Sequence, residues 1–259
     1  MAVISTDQRL RDYPFALESE LDAAAREHGF RIAHGMAAGW RFWRSATARG
    51  EIAIAAASLD GPFFLSVEHP GTARELGAEP VAPPAREHSG AFVFASRNAL
   101  CAGVSRAYQL GVALPTLPLE QFEAEVAGLG ETEAEAIVRR RIGQDRFRVA
   151  LMQYHEGRCQ ISGIDDPELL RASHIIPWAE CESDAERLDV HNGLLLSSLW
   201  DAAFDSGLVS FENDGTVLVS PRIGAAAREA LDADRQRLRG LTDAHRERLH
   251  WHRQQLFVR

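Results

Sequence analysis

The hydrophobic positions of this chain change period several times, and each change marks an element. Residues 15–28 (FALESELDAAAREH) repeat apolar side chains at helical spacing, which predicts an amphipathic helix ended by Gly29-Phe30. The runs RIAHG, GWRFWRSA, EIAIAAAS and PFFLSVEH alternate or are continuously apolar and are split by Gly, Asp-Gly and Pro. They predict three or four strands of a small antiparallel sheet. A helical turn (TARELG), a loop kept irregular by its prolines (AEPVAPPAREHSG) and a further strand (GAFVFAS) follow. NALCAGVSRAYQLGV predicts a helix with Asn98 as its cap, and LEQFEAEVAGL another after Leu114-Pro115.

Leu129-Gly130 marks the expected boundary, which gives an α+β domain over 1–128 and a second domain over 129–259. The second opens on a long helical segment, TEAEAIVRRRIGQDRFRVALMQYHEG, with Gly143 as the place where it would break. Its acidic start and its arginines (Arg139, Arg140, Arg141, Arg146, Arg148) suit the helix dipole, and they equally suit an arginine face laid on a DNA backbone. Further on, GLVSFENDGTVLVS predicts a hairpin turning at Asn213-Asp214-Gly215. The tail is helical and arginine-rich, with Trp251 and Phe257 as anchors. Its His245, His250 and His252 invite a metal reading but read instead as surface residues of a closing helix.

Composition narrows the setting. With 259 residues the chain is long enough for two domains. The start, MAVISTDQRLRDYP, lacks a long apolar core after a basic stretch, and no apolar run has the ~20 residues of a membrane span, so the expectation is a cytoplasmic protein with no membrane partner. Cys101, Cys159 and Cys181 are scattered without a C-x-x-C pair, which argues for a reducing compartment and against a zinc knuckle. The net charge of −9 argues against binding DNA by bulk electrostatics. All basic side chains are arginine, a set that suits bidentate phosphate contact and that GC-rich coding would equally produce.

The chemistry concentrates between Arg171 and Gly207. A strand ends at His174 and is stopped by Pro177; an acidic loop leads to His191-Asn192-Gly193; an apolar run then delivers Asp201 and Asp205 at helical spacing. A base, an amide and two carboxylates converge, and no hydrophobic core requires that set. Each also has a plain structural reading: a buried strand-end histidine, an Asn-Gly turn, a helix cap and a helix-ending turn.

Four fragments in order, CQISG (Cys159–Gly163), SHIIPW (Ser173–Trp178), NGLLL (Asn192–Leu196) and DAAFDSG (Asp201–Gly207), resemble the HNH endonuclease family. That family's site is a unit of two strands and one helix gripping one divalent metal ion. The resemblance covers roughly the C-terminal half and implies a ββα metal unit with flanking helices. It implies that His174 is the general base and that Asn192 braces the loop and fixes the imidazole. Asp201 stands at the third motif position and Asp205 one turn later. Two carboxylates at i and i+4 repel until a cation lies between them, and hard oxygen ligands suit Mg2+ or Mn2+. Ser173 stands where many members have Asp, and Trp200 where many have His or Cys; either Asp205 replaces the missing carboxylate or the metal binds weakly.

In this family the partner domain supplies the target, and fusions to readers of modified bases occur in restriction systems. The resemblance therefore implies a restriction endonuclease acting on double-stranded DNA, with a modified base as one target. Trp40, Phe42, Trp43, Phe63 and Phe64 are the aromatics of the first sheet, either core or a stacking face. Arg41, Trp43, Arg44, Arg140, Arg141 and His191 are the candidate DNA contacts. One site cuts one strand, so a double-strand break makes a homodimer the expectation. Two other readings stand beside this one: an antibacterial nuclease toxin, and a DNA-binding module with a degenerate HNH site.

Overall fold

The structure, a computed structural model, describes residues 8–77, 87–130 and 132–258. The chain divides into two compact units, Met1–Leu117 and Pro118–Arg259. The proline-bearing loop falls mostly outside the described residues.

The first unit is a five-stranded antiparallel meander with helices. Helix α1 (Phe15–Glu27) leads into β1 (Ile32–Ala37), β2 (Trp40–Arg44), β3 (Ile52–Ala56) and β4 (Phe63–Val67). A short α2 (Pro70–Glu75) precedes β5 (Gly90–Phe94) and α3 (Arg97–Ala113), and the strands pair in sequence order. Helix α3 is capped by Ser96, whose hydroxyl accepts from the Ala99 amide, not by Asn98. Two residues earlier is where an extended backbone leaves the hydroxyl facing the first turn.

Strand alternation splits the aromatics between two faces as the pleat requires. Trp43 packs with Ile54, Leu65 and Phe92 against Leu21 of α1 and Val104 of α3. Trp40 and Phe42 pack with Ala53, Ala55 and Phe64 on the other face. Neither face is free: Trp40, Phe42 and Trp43 are each at most 1% exposed.

The second unit begins inside α4 (Thr116–Val126), before the Leu129-Gly130 boundary expected from the sequence. It packs with α5 (Glu133–Tyr154): Arg139 lies over the Phe122 ring at 5.3 Å, and Arg146 pairs with Glu125. Helix α5 starts on a reciprocal cap between Thr132 and Glu135 and runs unbroken through Gly143. The glycine serves a close approach instead of a break, since a Cβ there would overlap the Trp178 ring.

Strands β6 (Leu170–His174) and β7 (Gly193–Ser197) form an antiparallel pair, and α7 (Ser198–Asp205) follows directly. This is the expected two-strand, one-helix unit; a four-residue helix α6 (Asp184–Arg187) sits in the loop between its strands. The hairpin β8 (Val209–Phe211) and β9 (Val217–Val219), then α8 (Ala225–Leu231) and α9 (Asp243–Gln255), complete the unit. Leu194, Leu195 and Leu196 are all fully buried, so β7 is the covered centre of this core. Cys159 and Cys181 are both free and buried. The Cys159 thiol accepts from the amides of Ser162 and Ser197, and Gln160 is hydrogen-bonded to Leu195 and Arg239. The Cys-x-x-Ser-Gly turn is thus docked on β7 by hydrogen bonds.

Candidate active site

His174 stands at the end of β6, opposite Gly193 in the register. Its Nε2 lies 2.9 Å from the carbonyl oxygen of Arg187. A carbonyl only accepts, so Nε2 carries the proton and Nδ1 keeps the lone pair. The ring stacks on Phe147 of α5 and meets Trp178 edge-on. Burial pushes the imidazole below the usual histidine range, partly offset by the Arg187 bond. It is therefore neutral at neutral pH.

Phe147 has room because residue 193 is glycine: a Cβ there would come within 2.5 Å of the Phe147 ring and 2.6 Å of Leu151. The Asn192 side chain is fully buried. Its Oδ1 accepts from the Ile176 amide at 2.9 Å, and its Nδ2 donates to the Ile176 carbonyl at 3.1 Å. The Ile175 amide donates to the Asn192 carbonyl. Asn192 thus braces the turn that follows His174, but the bond to the imidazole comes from Arg187, not from Asn192.

Arg187 was not singled out by the sequence, since it lies in a loop read only as acidic. Its guanidinium donates to the carbonyl of Trp178 and to Asp184, which ties the loop to itself and presents its own carbonyl to His174.

Asp201 and Asp205 lie one turn apart on α7. The Ser173 hydroxyl donates to Asp205 Oδ1 at 3.1 Å and also lowers the pKa of Asp201. Both carboxyls are nonetheless raised above the ordinary range: burial is the main cause at each, and the charge of Asp201 adds to it at Asp205. Among the described residues no group of three or more His, Cys, Asp or Glu side chains forms a metal cluster.

A cleft of ≈ 340 Å³ gathers His174, Ser173 and Asp205 with Gln144, Trp178 and His252 in its wall. Asp201 does not line it. Helix α9 contributes His252, which is fully buried, as is His245; only His250 of the three tail histidines is exposed, so the surface reading fails for two.

The DNA-contact candidates separate clearly. Arg140 and Arg141 are exposed on α5 and make no hydrogen bond or ion pair among the described residues. Arg139, Arg146 and Arg148 instead bind Asp184, Glu125 and the Leu170 carbonyl. Arg41 is held by Glu18 and Asp22 and is 16% exposed, while Arg44 is half exposed beside Glu51. Trp43 is core, so as folded it offers no ring for stacking. The His191 Nδ1 is turned onto Asp189 at 2.8 Å, and Asp189 is held in turn by Arg248.

No helix among the described residues is long and apolar enough to cross a membrane. No curated protein matches the chain. Residues 159–212, from the Cys159 turn to the end of β8, match the family model described as HNH endonuclease, and so the C-terminal half of this chain carries an HNH nuclease segment.

Proposed function

We propose that the chain is a metal-dependent DNA endonuclease in which His174 is the general base. The observation that supports this most is the state of that imidazole: neutral, with Nε2 committed to Arg187 and Nδ1 left as acceptor, in one cleft with Asp205. Such a ring can take a proton from an attacking water at cellular pH. Asn192 keeps the base at its angle by holding Ile175 and Ile176, and Arg187 keeps its tautomer.

Asp201 and Asp205 fit a hard divalent cation. Two carboxylates are what Mg2+ commonly takes from a protein at phosphate sites, the other positions going to water and substrate oxygens. Partial burial and mutual repulsion disfavour their ionised forms without a cation, and a cation reverses that preference. Bound there, Mg2+ or Mn2+ supplies charge for the phosphate and the leaving oxygen. Arg140, Arg141 and Gln144 share α5, and Arg140 is one turn from Gln144 in the cleft wall, which supports a phosphate track on that helix.

Plasmid nicking with Mg2+ and with Mn2+, by the wild type and by His174→Ala, tests the assignment. Loss of nicking in the variant is expected, and undiminished nicking removes His174 as the base. We place the enzyme in a restriction system with the first unit choosing the target. The two-unit organisation supports this, and cleavage of a panel of methylated, hydroxymethylated and unmodified duplexes tests it. Base stacking by Trp43 is not carried forward, because the ring is buried. Linear product appearing with second-order dependence on protein would support paired sites in a homodimer.

A further inference from the structure

We infer that His252 is a positioning residue for the carboxylate of Asp205, acting through the carbonyl of Phe204. This rests on the nuclease reading only in taking Asp205 as a metal-binding group. The last turn of any helix leaves carbonyls without intrahelical donors, and at α7 the following residues supply some of them: the Gly207 amide donates to the Phe204 carbonyl and the Leu208 amide to that of Ala203, each at 2.9 Å. The same end is also held from outside, through the second lone pair of the Phe204 carbonyl. The His252 Nε2 lies 3.3 Å from the Phe204 oxygen, and its Nδ1 lies 3.0 Å from the Ser210 hydroxyl. Because the carbonyl only accepts, Nε2–H is the donor and the Ser210 hydroxyl donates to Nδ1. The ring also stacks on Phe204 with centroids 3.9 Å apart and planes within 6°.

One imidazole thus ties the end of α7, at the residue before Asp205, to β8. Beyond α9 the chain adds a second tie: the Val258 amide donates to the Gly207 carbonyl at 3.0 Å. Gly207 has φ +67° and abuts the Leu256 carbonyl, which leaves no space for a side chain. His252 and Leu256 line the same cleft as Asp205 and His174.

Packing alone does not call for a histidine at a fully buried position. Burial pushes this one down to about 4, so it stays neutral and keeps one donor and one acceptor. A leucine would fill the space but would leave the Phe204 carbonyl and the Ser210 hydroxyl without this partner.

The test uses the full chain with Mn2+ as probe. His252→Phe keeps a flat ring and loses the donor; His252→Gln offers an amide N–H in its place. Calorimetry is expected to show Mn2+ binding weakened about tenfold or more in His252→Phe and largely restored in His252→Gln, as for other groups that orient metal ligands. Half-saturating Mn2+ for nicking should rise in parallel, with the rate at saturating Mn2+ within about twofold of wild type. Unchanged Mn2+ affinity in folded His252→Phe overturns the inference, as does equal loss in both variants. Should His252→Phe not fold, Ser210→Ala is the second probe; it is expected to weaken Mn2+ about threefold by freeing the ring, and no change overturns the inference. If the wild type neither binds Mn2+ nor nicks DNA, the nuclease reading fails by itself. Amide exchange at Ser206 and Leu208 then still decides the clamp: exchange faster in His252→Phe than in wild type supports it, and equal exchange removes it.

Discussion

The ring of Phe147 lies 3.8 Å from the ring of His174, centroid to centroid, with 17° between their planes. One ring face is covered and Nε2 is bonded to Arg187, while Nδ1 makes no hydrogen bond among the described residues. His174→Ala should lower the nicking rate by about 10²–10⁴-fold, the usual worth of a positioned general base. Because burial lowers its pKa, this imidazole stays unprotonated below the ordinary histidine midpoint. The rate of the wild type should therefore hold on going from neutral pH to about 6.5 and fall only beyond it. A profile that declines already between pH 8 and 7 would point to another base.

The raised carboxyls of α7 predict a metal-dependent melting temperature. Burial disfavours the ionised forms of Asp201 and Asp205, so on the proposed reading Mg2+ or Mn2+ should stabilise the folded chain by mass action, about 2.7 kcal/mol at a hundredfold excess over Kd. Asp201→Asn with Asp205→Asn should abolish this rise while leaving the metal-free melting temperature equal or higher. Scanning fluorimetry with and without Mn2+ checks both halves.

Gly143→Ala separates helix propensity from packing. Alanine is favoured in a helix by roughly 1 kcal/mol, yet here its methyl would meet the Trp178 ring. A net loss of about 1–3 kcal/mol is expected from overpacking, with reduced nicking because Trp178 also contacts His174. Urea denaturation gives the first quantity and the plasmid assay the second.

Arg140 and Arg141 are exposed and make no hydrogen bond or ion pair among the described residues, so the stability of Arg140→Ala and Arg141→Ala should stay within about 0.5 kcal/mol of wild type. Each should weaken duplex binding and reduce the slope of log K against log salt by about 1. Fluorescence anisotropy across a salt series reads the slope; an unaltered slope for both would remove α5 from the DNA path.

Acid sensitivity follows from His252. Its folded pKa is lowered to about 4, so the unfolded chain takes up the proton first as pH falls. The stabilisation is complete above about 6.5 and is lost as pH falls towards 4, about 3 kcal/mol in all. His174 acts in the same direction. In urea titrations the wild type should lose stability over that window more steeply than His252→Gln.

The sequence carried the ββα unit well because its signals are local. The strand ending at His174, the Asn-Gly turn and the helix with Asp201 and Asp205 are each written in a few adjacent residues, and the structure has β6, β7 and α7 there. What escaped was the support from distant segments. Phe147, Arg187 and His252 reach the site from α5, α6 and α9, and no spacing rule links them to His174 or Asp205. The first sheet was legible as strands and as alternation. That both of its faces are buried was not, since a pleat shows which side chains share a face but not what covers it. Asn98 was a reasonable cap on residue type alone, and backbone geometry chose Ser96.

Gly193 has a consequence of another kind. Its backbone pairs with that of His174, and the space its missing side chain leaves empty is where Phe147 sits, the floor beneath His174. In a randomised library selected for cleavage, position 193 should tolerate as little as the base itself. The Asn-Gly pair would then owe its strictness to two separate demands, one for a bracing amide and one for a missing methyl.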